Sequence, residues 1–165
     1  MMRAMQKLLA PVHRGLATLI NRAVLQAVND AGGLQELQVQ ALADEVLDRI
    51  ERFQQYGLTS VPLPGAECVL LSVGGSRSNA VIIAVDDRRY RLQGLEGGEV
   101  ALYSDEGDFI HFKRGNILAV KTLTLEVDAP QSTFSGDVVV SGISFLGHVH
   151  PENDEGGPTG APVGG

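Results

Sequence analysis

His148 and His150 stand one residue apart near the C-terminus, followed by PENDEGGPTGAPVGG. Imidazole is the commonest metal-binding side chain. The pair closes DVVVSGISFLGHVH, the most strand-like stretch of the chain. In a strand, residues i and i+2 point to the same face, so Leu146, His148 and His150 share one side. Two imidazoles are at best half a metal site. Three copies around an axis supply six nitrogens in two stacked triangles, which is octahedral coordination. Zinc prefers four ligands in a tetrahedron. Six-coordinate nitrogen sites suit Fe(II), Co(II) or Ni(II), and availability favours iron. With every position filled the metal is structural, because catalysis needs an open position. Its binding energy then becomes assembly energy.

The elements that must carry this pair follow two design rules. The chain has 165 residues and a net charge of −7. All 13 Lys and Arg fall in residues 1–121, against 14 acids. Residues 122–165 carry none, and their six acids are Glu126, Asp128, Asp137, Glu152, Asp154 and Glu155. Within them TLTLEVD alternates strictly, with Leu123, Leu125 and Val127 on one face. A few short strands cannot bury such a face alone. Three copies can point it at a common axis and close a prism without free edges.

Upstream, residues 11–20 are expected to form a short helix after Pro11. Residues 22–28 and 34–40 flank NDAGG and predict a hairpin. Residues 43–54 (ADEVLDRIERFQ) predict a helix: Val46, Leu47, Ile50 and Phe53 recur at helical spacing, charges suit the macrodipole, and Gly57 follows. Short strands are expected at 66–73, 79–85, 88–93, 98–104, 108–113 and 116–121, the pattern of a small β-barrel or sandwich. DDRRY and DEGD are read as solvated turns. Cys68, the only cysteine, sits in CVLLSV and is read as a buried core thiol. No disulfide can form within the chain.

Composition narrows the function classes. The acidic balance lacks the basic footprint of a nucleic-acid binder. No apolar run reaches the 18 residues of a membrane span. The N-terminal MMRAMQKLLAPVHRGLATLI lacks the apolar core and cleavage site of a signal peptide, so synthesis in a reducing cytoplasm is expected.

The C-terminal GHVHPENDEGGPTGAPVGG resembles the apex of central spike proteins of contractile tails, those of Mu-like and P2-like phages and R-type pyocins. The resemblance extends through YGLTSVPLPGAE, DRRYRLQGLEGGEVALYSDEGD and TLTLEVD, and covers roughly residues 20–165. It implies a mainly β homotrimer: an OB-like β-barrel with short helices, then an intertwined triple-stranded β-helix needle. The domains implied are an N-terminal helical segment (1–20), barrel (21–121), shaft (122–150) and apex cap (151–165). It also implies one iron per trimer, held by His148 and His150 of three chains. Family members hold calcium and chloride in the β-helix, and no motif here fixes those positions. The function implied is mechanical rather than catalytic: the spike attaches to the baseplate hub and is driven into the outer membrane of the target bacterium, as part of a virion or bacteriocin particle.

Three other readings stay open. A metal-dependent enzyme would add Glu152 or Asp154 to the histidine pair as a facial triad. An OB-like module would bind oligonucleotides, against the acidic balance and scarce aromatics. A passive baseplate protein would have a disordered tail and no tightly bound metal. His13 and His111 are isolated and read as structural or surface residues.

Overall fold

The computed structural model describes residues 19–41, 45–150 and 156–160. It is mainly β, and the chain divides between Leu123 and Thr124 into two units. In the first, β1 (Ile20–Asn29), β2 (Gln35–Gln40), β3 (Val46–Arg52), β4 (Glu67–Ser72) and β5 (Ala80–Asp86) close a barrel in the order β1-β2-β3-β5-β4. All pairs are antiparallel except β3 with β5. Five strands closed in this order make an OB-like barrel.

Strict alternation builds it. Ala23 and Leu25 of β1, Leu37 and Val39 of β2, Cys68 and Leu70 of β4, and Ile82 of β5 all point inward and are buried. Cys68 is the buried thiol expected, and burial pushes its pKa up to about 11. The hairpin expected around NDAGG joins β1 to β2. One buried polar group, Gln35, is satisfied on both sides: its Nε2 donates to Asp30 at 2.7 Å, and its Oε1 accepts from Arg52 Nη1 at 2.8 Å. Arg52 also donates to the Ser60 carbonyl at 2.8 Å, which ties the loop after β3 to the barrel.

The helix expected over 43–54 is instead the strand β3, with residues 42–44 outside the described set. The register shows why. Leu37 of β2 faces Ile50 and Val39 faces Leu47, so three residues of β3 span two of β2. Such a bulge carries Arg49 at φ 56 and turns both Leu47 and Ile50 inward, three apart. A bulged strand thus reproduces the apolar spacing of a helix. Most of the other expected helix, over 11–20, lies outside the described residues, and Ile20 opens β1. The short helices among the described residues are single 3-10 turns at Val73–Gly75 and Arg77–Asn79.

The strand expected at 88–93 is absent. Asp87 accepts from the Arg89 main-chain N–H at 3.0 Å, and its carboxylate also takes the Arg89 side chain. The Tyr90 and Arg91 amides donate to the Asp87 carbonyl, which completes a turn there.

Downstream, β6 (Val100–Tyr103), β7 (Phe109–Lys113) and β8 (Ile117–Lys121) form a three-stranded antiparallel meander. DEGD makes the β6–β7 turn as expected, with Gly107 at φ 86. The register aligns Leu102 with Ile110 and Val120, and Val100 with Phe112 and Leu118. One face therefore carries six large apolar side chains, all between 42% and 61% exposed. The second unit contains a small hairpin, β9 (Val139–Val140) and β10 (Ile143–Ser144). Ser141 and Gly142 make its turn with φ of 50 and 83, the left-handed pair that a tight hairpin needs. TLTLEVD is not part of a strand in the single chain, and Leu123 is 100% exposed.

Candidate metal centre

The two histidines follow a turn rather than continuing a strand. Residues 145–147 are turn, so parity from Leu146 does not reach His148. The two rings nonetheless lie close together, with centroids 5.1 Å apart at 87°.

The turn is built from the hairpin outward. Asp137, just before β9, accepts the Leu146 amide at 3.0 Å. The Ser144 hydroxyl and then the Leu146 amide hold the Asp137 carboxyl below the usual carboxylate range. Ser144 Oγ in turn accepts the Gly147 amide at 2.8 Å, and the Phe145 amide donates to the Val138 carbonyl at 2.8 Å. Serine closing a turn through a main-chain amide is a common local device.

This turn orients His148. Its Nδ1 lies 2.9 Å from the Phe145 carbonyl oxygen and 3.1 Å from that of Ser144. Carbonyls only accept, so Nδ1 of the neutral ring carries the proton and Nε2 keeps its lone pair. An Nδ1–H bonded to a carbonyl is the usual support of a metal-binding histidine. His150 is held differently. Its amide donates to Thr159 Oγ1 at 2.8 Å, and its carbonyl accepts the Thr159 amide at 2.9 Å.

The donors fit a metal. Metal–nitrogen bonds of about 2.1 Å place two imidazoles on adjacent coordination positions with centroids roughly 4.5–5 Å apart. The observed centroid spacing of 5.1 Å is close to that range. Among the described residues no three His, Cys, Asp or Glu side chains cluster, so one chain brings two imidazoles together. Glu152 and Asp154, the carboxylates of the facial-triad reading, lie outside the described residues, as does His13. His111 pairs with Glu99 at 3.0 Å. Sequence reasoning missed Asp137, Ser144 and Thr159. The S-x-x-G spacing of Ser144 and Gly147 is the one local signal that points to the turn.

Residues 22–89 match the family model described as Bacteriophage Mu Gp45, N-terminal, a span that contains nearly all of the closed barrel. The chain is also 41% identical over 157 residues to the Mu-like prophage FluMu protein gp45 of Haemophilus influenzae, covering 87% of this chain and 86% of that protein. The chain belongs to the Mu gp45 family. The gp45 protein of Escherichia phage Mu, named a baseplate puncturing device, is 36% identical over 188 aligned positions, with 95% of each chain covered. Coverage of that extent carries the gp45 likeness past the barrel and through most of the second unit.

Proposed function

We propose that the chain is a structural protein of a contractile-tail baseplate: the central spike that punctures the target cell's outer membrane. It works as a homotrimer with one iron at its tip, bound by His148 and His150 of three chains. Residues 122–150 form the shaft and 151–165 the cap, while the barrel end attaches to the baseplate hub of a virion or bacteriocin particle. Calcium and chloride in the shaft belong to the same reading, without assigned positions.

The observation that carries this reading is the apolar surface a single chain leaves uncovered. Six side chains of the β6–β8 meander line one exposed face, and Leu123, Leu125 and Val127, next in sequence, are exposed as well. Burying a side chain of this size stabilises by about 1.5–3 kcal/mol, so together they can drive association. Symmetry then multiplies the two histidines of one chain into six. The names of the relatives, a baseplate puncturing device among them, supply the setting. In that setting the demand on the molecule is mechanical: an interlocked shaft resists buckling, and a clamped tip holds three chain ends together under load.

Elemental analysis of the purified protein, with its mass from light scattering, tests the proposal. Three chains and one iron per particle are expected. A monomer, or a metal-to-chain ratio near one, overturns it.

A further inference from the structure

We propose that Thr159 is the positioning residue of His150, a latch whose closing is linked to metal loading. The inference rests on the reading of His148 and His150 as metal ligands. The two histidines are fixed by different devices. His148 is held through its ring by the Ser144 and Phe145 carbonyls, and its amide donates to the Ser144 carbonyl at 3.1 Å. All of these come from the turn that precedes it. His150 has no such support. It lies outside any strand and is exposed. Its main chain is instead clasped by a single residue nine positions later, and both of its polar groups are used: the amide by Thr159 Oγ1 and the carbonyl by the Thr159 amide.

This reciprocal pair closes a loop at its base. The position of the His150 backbone, and with it the start of its side chain, depends on that closure. Closing a loop costs conformational entropy. Pro158, next to Thr159, lowers this cost by narrowing the open ensemble. A metal that prefers the clasped His150 also holds the loop shut, by the same factor by which closure improves its affinity. The part played by Thr159 is that of an acceptor. Serine can supply the same hydroxyl, while valine keeps the shape and loses the bond.

The test uses the full chain as wild type, Thr159→Val and Thr159→Ser. Iron(II) affinity and release are read by competition with a chelator, and amide exchange of residues 148–160 is read with and without metal. Thr159→Val is expected to bind iron about 10–100-fold more weakly, the usual effect of losing a residue that supports a ligand. It should also lose protection of the His150 amide in the metal-free protein. Thr159→Ser should stay within a few-fold of wild type, and iron should slow exchange at the Thr159 amide of the wild type. Iron affinity and His150 exchange unchanged in Thr159→Val overturn the latch and leave the metal site standing. Thr159→Ser as weak as Thr159→Val also overturns it. A wild type that binds no iron overturns both the site and the latch.

Discussion

Glu99 and His111 face each other across the β6–β7 pair, a carboxylate oxygen 3.0 Å from Nε2, on the side of the meander opposite its six uncovered apolar residues. Both side chains are nearly buried, at 6% and 12% exposure. The carboxylate also accepts the Arg114 amide and the Glu96 amide, each at 3.0 Å. One acid thus ties the strand-end loops of the meander together. The Glu99–His111 pair pins one side of the sheet, and the other side presents the open apolar row.

The first prediction concerns pH. The Arg114 amide, then the Glu96 amide and His111, hold the Glu99 carboxyl below the usual glutamate range. A depressed native pKa contributes stability that is complete above the ordinary carboxylate pKa and is lost as pH falls through the native value. Glu99→Gln should therefore lower stability at neutral pH, and its gap from wild type should narrow as the pH falls below about 4.3. Thermal unfolding of both proteins between pH 7 and 3 checks this; parallel curves would mean that the carboxylate contributes nothing.

The second concerns the barrel. Leu37 and Ile82 are fully buried in the core. Leu37→Ala should cost about 2–5 kcal/mol, the sum of lost transfer and a residual cavity. Denaturant unfolding followed by far-UV circular dichroism reads it directly.

The third concerns assembly. Phe112 lies on the apolar face of the meander and is 56% exposed in the single chain. Phe112→Asp should drop the particle mass towards one chain, because a charge would have to be buried against apolar neighbours. Lys113→Ala, on the opposite parity, should leave the mass unchanged. Light scattering decides between these outcomes, and a trimeric Phe112→Asp would show that this face is not the interface.

The fourth concerns the tip. Replacing both His148 and His150 with alanine should abolish iron binding and leave the barrel folded, since the barrel core lies within residues 23–85. Metal content and barrel circular dichroism, measured on the same sample, check both halves. Loss of the barrel signal would make the metal more than a tip clamp.

Much of the fold is legible along the chain because strand alternation is a local property. Leu37 and Val39 of β2, or Cys68 and Leu70 of β4, point inward as their pattern requires. Legibility fails where geometry breaks the period. Leu47 and Ile50 read as a helix because a bulge at Arg49 spaces them three apart. Residues 88–93 read as a strand until the Asp87 carboxylate captures Arg89 and forms a turn.

The site divides along the same line. By themselves, the residues determined that two imidazoles one residue apart end a region without Lys or Arg, after an apolar row that needs covering. Type, spacing and charge are written in one dimension. Only the tertiary structure decided what holds each histidine. The Ser144 and Phe145 carbonyls reach His148 through a turn, and Thr159 returns to His150 from nine residues away. Hydrogen bonds of this kind depend on where the backbone comes back in space, and no periodicity along the chain encodes that return.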